Sequence, residues 1–299
     1  MPLPPAHDWQ TFDALHDDPE AWRPAMLDLA RNAGPDQPVE LALGGTVLVA
    51  LAGDRVIKLY PPFLHDHFAF ERGALPLLAG RLAVPTPHLL ADGEHDGWPY
   101  LVMTRLHGEP LTARWPGLST MERHRLLEAL GKLMREVHEL PAASLLHLAP
   151  AWPSFLAAQR AGAKARQTRT GLPAHLLAEL DDFVAVPLDE SVTPVVLTGE
   201  YTPQNLLLTG TALAGMYDFG DGLVGDPRYD WLGPCCFLAA GDAEAQAALA
   251  RGYGAPRPDP ADLLRLLLLH RYSNLTVQVA LDGWQEAPTL EALARRIWP

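Results

Sequence analysis

The chain has 299 residues, 48% of them hydrophobic, which is enough to bury one large core or two lobes. Its formal charge is -13, from 23 Lys plus Arg against 36 Asp plus Glu. That balance argues against general nucleic-acid binding, which needs a basic face; it suits a cationic substrate such as an amine, and equally suits solubility alone.

Residues 1–37 read as a helical extension in which Trp22, Met26, Leu27, Leu29 and Ala30 fall broadly on one side. It either pads the small lobe or covers an edge strand. Val39 to Leu43, Thr46 to Leu51 and Arg55 to Tyr60 read as three antiparallel strands, with turns at Gly44-Gly45 and Gly53-Asp54. Phe68 to Leu78 reads as a helix and Trp98 to Met103 as a further strand. Beyond it the pattern is helical. Ser119-Thr120-Met121-Glu122 is a capping box, and the helix behind it buries Leu126, Leu130, Leu133, Met134 and Val137. Trp152 to Arg166 and Ala174 to Val184 are further helices; Arg160, Lys164, Arg166 and Arg169 read as a solvated face. Asp259 caps a helix with Pro260 in its first turn, and Leu263 to Val279 reads as one central buried helix.

The two cysteines, Cys235 and Cys236, are adjacent in an apolar run. They form no disulfide framework and read as buried free thiols of a cytoplasmic protein. No basic segment followed by an apolar one opens the chain, and the apolar run Leu263 to Leu269 is too short to span a bilayer. His65-Asp66-His67, the nearest approach to a ligand cluster, reads as a solvated turn.

Three features carry chemistry. Lys58 stands inside the apolar strand Arg55 to Tyr60, where an unpaired ammonium is costly, and Glu71 on the following helix is its natural partner. A strand Lys paired to a helix Glu positions nucleotide phosphates in kinases. Downstream, Glu200 precedes Asn205 by five residues, and Asp218 follows. Leu206 to Leu208 and Leu213 to Tyr217 read as a hairpin holding Asn205 and Asp218 side by side. One carboxylate to orient or deprotonate a hydroxyl, with an Asn and an Asp to hold Mg²⁺, is what phosphoryl transfer requires. The Gly44-Gly45 turn offers backbone N–H groups to phosphate oxygens, and is also ordinary hairpin chemistry. Asp221 touches metal, meets a substrate amine or stabilises its turn. Asp226 and Asp230 read as structural. Tyr201 and Gln204 fall in the loop, where they are candidates to line an acceptor pocket.

With these residues in this order, the chain resembles the aminoglycoside phosphotransferase-like small-molecule kinases, a branch of the protein-kinase-like fold. The resemblance rests on Gly199, Asn205, Asp218 and Gly225-Asp226-Pro227-x-Tyr229-Asp230, with Leu101 to Leu111 similar to the family's link between lobes, and runs from about Val39 to Asp230. It implies an α+β two-lobe fold: a β-rich nucleotide lobe over residues 38–105 and a helical catalytic and substrate lobe over 106–299. It implies ATP, or another nucleoside triphosphate, with Mg²⁺ on Asn205 and Asp218. Lys58, Glu71, Gly44, Gly45 and the hinge residues Met103 and Arg105 would contact nucleotide, and Glu200 would be the catalytic base. The acceptor would be a small hydroxylated molecule, with neither nucleic acid nor membrane as partner. Two departures stand out: Glu200 replaces the family's Asp, and Thr198 its preceding His. A longer side chain moves the carboxylate by roughly 1 Å, a displacement able to cost about 100-fold in a positioned reaction. The second reading is therefore a catalytically weak nucleotide-binding protein with a regulatory role. A third, transfer of another part of the nucleotide, has no specific residue behind it.

Overall fold

The computed structural model describes residues 3–34, 37–189, 191–199 and 201–299. Two helices, α1 (Trp9–His16) and α2 (Pro19–Ala33), precede the strands β1 (Val39–Ala42), β2 (Leu48–Ala52) and β3 (Arg55–Leu59). Helix α3 (His65–Leu78) follows, then β4 (Leu89–His95) and β5 (Trp98–Thr104). These strands form one antiparallel sheet in the order β1-β2-β3-β5-β4.

The two-residue period of a strand gives this sheet two different faces. Leu48, Ala50, Ala52, Ile57, Leu59, Trp98 and Val102 point one way and pack against Phe12, Trp22, Met26 and Leu29 of α1 and α2. The N-terminal extension thus covers a sheet face. Trp22 and Met26 are fully buried there, a burial contributing about 1.5–3 kcal/mol per large apolar side chain. Lys58 and Tyr60 point the other way, toward the cleft. The first hairpin turn is wider than the Gly-Gly pair suggests: residues 43–47 separate the strands, and Gly44 and Gly45 both have φ of 100°.

The helical lobe begins after a hinge. It contains β6 (Glu109–Pro110), α4 (Leu111–Arg114), α5 (Thr120–His138), α6 (Trp152–Arg169), α7 (Ala174–Ala185) and β7 (Val195–Leu197). After these come β8 (Leu206–Thr209), β9 (Ala212–Met216), β10 (Leu223–Gly225), α8 (Leu232–Phe237), α9 (Ala243–Tyr253), α10 (Pro260–Leu268), α11 (Leu275–Gln278) and α12 (Leu290–Ile297). The capping box of α5 is present: Ser119 N donates to Glu122 Oε2 at 2.8 Å and Glu122 N to Ser119 Oγ at 3.4 Å. Helices α5 and α9 cross closely because glycines stand at the contact. A Cβ on Gly131 would lie 2.2 Å from the Leu249 carbonyl oxygen, and one on Gly252 would lie 1.9 Å from that of Glu128.

Three expectations are corrected. The helix expected over Leu263 to Val279 stops at Leu268 and resumes at Leu275. His270 drives the break, stacking on Tyr229 with ring centroids 4.9 Å apart while its Nδ1 accepts from Tyr272 N at 3.2 Å. The basic stretch of α6 is only partly solvated: Arg166 turns inward to donate to the Leu268 carbonyl at 3.1 Å, satisfying a helix C-terminus. His67 is buried, not in a solvated turn. No helix among the described residues is long and apolar enough to cross a membrane.

Candidate active site

Strand β3 carries the Lys58 ammonium to Asp218, which lines the cleft, and α3 meets it with Glu71; Lys58 and Glu71 themselves lie behind the lining. Lys58 Nζ lies 2.8 Å from both Glu71 oxygens and 2.7 Å from Asp218 Oδ1. Although burial opposes its charge, the Asp218 and Glu71 carboxylates drive the Lys58 pKa above its ordinary value, so the ammonium persists. Glu71 is 1% exposed and has two further donors, the Tyr60 hydroxyl and Phe219 N, the latter at 3.3 Å. Burial first, and the Glu71 charge second, push the Tyr60 pKa well up, keeping this hydroxyl protonated as a donor.

Asp218 enters from the helical lobe on the hairpin the sequence suggests. Leu206 pairs with Met216, and Tyr217 N donates to the Asn205 carbonyl at 3.1 Å, so the backbones of Asn205 and Asp218 leave the hairpin next to each other. Asp218 has φ of 71°, a conformation Asp tolerates better than most side chains, and its carboxylate keeps 41% exposure. Asn205 and Asp218 line the same cleft, of about 450 Å³, beneath Gly45 and Thr46 of the β1–β2 loop. Gly44 N turns away and donates to His16 Nε2 at 3.2 Å, fastening this loop to α1.

Glu200 lies outside the described residues; its neighbours on either side are described. Thr198 N and Gly199 N donate to the Asp230 carboxylate at 3.1 and 2.9 Å, and His138 Nε2 lies 3.1 Å from the same group. Gly199, at φ of 69°, packs so closely that a Cβ would sit 2.9 Å from the Asp221 carbonyl oxygen. Tyr201 is buried and therefore does not line the cleft, whereas Gln204 does. A second imidazole braces the loop where Thr198 replaces the family's His. Burial pushes His270 down to about 3, helped by Arg271 and Arg166 and opposed by a hydrogen bond with the Gly199 backbone.

Asp221 is tied up as a structural clasp. Its Oδ1 accepts from Arg271 at 3.2 Å and from the Tyr272 hydroxyl at 3.0 Å, and lies 3.2 Å from His67 Nδ1. This joins α3 of the small lobe to the helical lobe. Asp226 is bound by Arg228 and caps the turn at Pro227–Trp231, and Asp230 anchors the backbone at Thr198 and Gly199, so both are structural. Met103 is buried in β5, and Arg105 holds the β2–β3 turn through its N–H to Asp54 O at 2.8 Å; neither lines the cleft described above. Tyr60, His138, His270 and Arg271 went unassigned in the sequence reading. Tyr60 alone had a signal: two residues after Lys58, it must share its strand face.

Both thiols are buried and unpaired, and burial pushes Cys235 up to about 12. Among the described residues no group of three or more His, Cys, Asp or Glu is placed to hold a metal. Mg²⁺ does not require one, because it is commonly bound by one or two protein oxygens plus phosphates and water. The side-chain oxygens of Asn205 and Asp218 fit that hard-cation chemistry.

The family model described as "Phosphotransferase enzyme family" matches residues 44–266. Among solved structures, the GDP and kanamycin complex of APH(2")-IIia superposes with a TM-score of 0.69 at 21% identity, covering 85% of this chain and 89% of that one. Aminoglycoside phosphotransferase APH(3'')-Id from Streptomyces rimosus gives 0.63 at 21% identity, covering 83% and 98%. Macrolide 2'-phosphotransferase MphH from Brachybacterium faecium gives 0.58 at 22% identity, covering 92% and 98%. At these identities the structures speak for the shared fold, and the family match spans most of the chain, including every described residue of the Lys58–Glu71–Asn205–Asp218 set. The chain therefore belongs to the phosphotransferase enzyme family.

Proposed function

We propose that the chain is an ATP-dependent phosphotransferase passing the γ-phosphoryl group to a hydroxyl of a small molecule. The observation that carries this reading is the Lys58 ammonium, bonded at once to Glu71 and to Asp218, which lines the cleft. Bound nucleotide would find that ammonium held in place by Glu71 and available to its phosphates once Asp218 turns outward. Gly45 and Thr46 would cover those phosphates from above. Asn205 and Asp218 would hold Mg²⁺, which when bound neutralises charge on the phosphates. Glu200 would accept the proton of the attacking hydroxyl, directly or through one water. Met103 and Arg105 would serve through the hinge backbone, where nucleotide bases are held. Residues 38–105 and 106–299 would then act as nucleotide and substrate lobes. The free, buried Cys235 and Cys236 support a cytoplasmic setting.

The test is thermal unfolding with ATP or GTP, each with and without Mg²⁺. A ligand at 100 times its Kd stabilises by about 2.7 kcal/mol, so the midpoint should rise with the preferred nucleotide plus Mg²⁺. Asp218→Ala should remove the Mg²⁺-dependent part. No midpoint shift at millimolar nucleotide and Mg²⁺ would sink the proposal. The reading of a weak nucleotide-binding protein is favoured by one feature, Glu200 where the family has Asp. It predicts the same shift without turnover.

A further inference from the structure

The part of the cleft beyond Asn205 and the loop at 198–199 has its own chemistry. Its wall comes from α8, the end of α10 and α11: Leu232, Cys236 and Phe237, then Leu267 and His270, then Val277. Val277 is 68% exposed and Tyr272 37%, unusual for large apolar and aromatic side chains at the rim of a pocket. Exposed apolar groups gathered at a cleft mark a ligand surface more often than scattered ones do. Small-molecule sites are typically apolar walls with a few placed polar groups, and Gln204 and Gln278 supply neutral amides here.

Among the described lining residues the carboxylates are Asp218 and Asp221, and both have roles. Lys58 takes the first here, and Mg²⁺ would take it on the proposed reading; Arg271, Tyr272 and His67 take the second. A substrate with several ammonium groups would lose its hydration against an apolar wall and find no uncommitted described carboxylate in return. An uncharged molecule with an apolar face would instead remove Val277 and Phe237 from water.

On the phosphotransferase reading, we propose that the acceptor is an uncharged alcohol carrying an apolar face, received by the α8–α11 wall. This runs against the cationic acceptor that the net charge of -13 suggests.

The experiment compares kcat/KM for phosphoryl transfer from Mg·ATP to hexyl β-D-glucoside, glucose and kanamycin, using the full chain and V277D. Val277 is exposed, so the substitution leaves the core untouched. The proposal expects hexyl β-D-glucoside to lead, glucose to trail it at least tenfold for want of the apolar face, and kanamycin to trail further. V277D should lower transfer to the hexyl glucoside about tenfold, while the ATP KM stays within twofold. A panel led by kanamycin, no transfer to hexyl β-D-glucoside, or faster transfer to kanamycin by V277D than to the glucoside by the wild type, overturns the acceptor class. None of these touches the phosphotransferase reading, which fails separately if Mg·ATP leaves the thermal midpoint unmoved.

Discussion

Replacing Lys58 by Met tests the electrostatics behind the cleft lining with a magnitude that can be worked out beforehand. The ammonium serves two carboxylates in different surroundings. Asp218 is 41% exposed and can be solvated when its partner is lost; Glu71, at 1% exposure, cannot. In Lys58→Met, Glu71 keeps only the Tyr60 hydroxyl and Phe219 N as donors. Breaking a buried pair by removing one partner typically costs about 3–5 kcal/mol. The stability deficit of Lys58→Met should therefore be about 3–5 kcal/mol at pH 7. The double variant Lys58→Met/Glu71→Gln should recover most of the loss, because nothing charged is then stranded. Urea unfolding of the wild type and the variants measures this. A deficit below about 1 kcal/mol, or a double variant no more stable than Lys58→Met, refutes the reasoning.

Other consequences are as direct. Gly131→Ala must push α9 away from α5, since its Cβ would meet Leu249 O at 2.2 Å and Tyr253 N at 2.6 Å. Such overpacking costs about 1–3 kcal/mol and should lower the thermal midpoint, whereas Gly162→Ala in α6, with only the Arg166 guanidinium at 3.6 Å, an ordinary contact, should raise it slightly. The imidazole of His270 is depressed from 6.5 to about 3 in the folded protein, so the unfolded chain binds more protons between those values. Stability should be intact above pH 6.5 and fall as pH drops through that window, with His270→Gln flattening the fall; equal slopes in the wild type and the variant would contradict this. Tyr60→Phe removes a donor from Glu71 and should raise the ATP KM more than it lowers kcat, checked by steady-state kinetics.

The paired core of the site was legible because it rests on local rules. A Lys inside an apolar strand needs a partner, the next helix offers Glu71, and Asp218 is where a hairpin from Asn205 must return. Strand period also makes Tyr60 a neighbour of Lys58 in retrospect. What was not legible depends on contacts between distant segments. The helix break after Leu268 falls inside a stretch that reads as continuous helix, and it arises from His270 stacking on Tyr229. His67 resembles a polar turn residue until Asp221 and Arg271 are brought beside it. The three-residue strands β7 and β10 carry too few residues for periodicity to show. The N-terminal extension showed its apolar side but not its target, because a sheet face and a sheet edge ask the same of an amphipathic helix.

On the proposed function this cleft moves a phosphoryl group and Glu200 assists. The most direct measurement is transfer from γ-labelled ATP with Mg²⁺ to a panel of alcohols, comparing the wild type with Glu200→Gln. The account predicts labelled acceptor with the wild type, a rate about 100-fold lower or more with Glu200→Gln, and nearly unchanged ATP affinity, as loss of a general base typically gives about 10²–10⁴-fold. Equal transfer by the two proteins would remove Glu200 from the mechanism, and no transfer by the wild type despite tight Mg·ATP binding would contradict the claim itself.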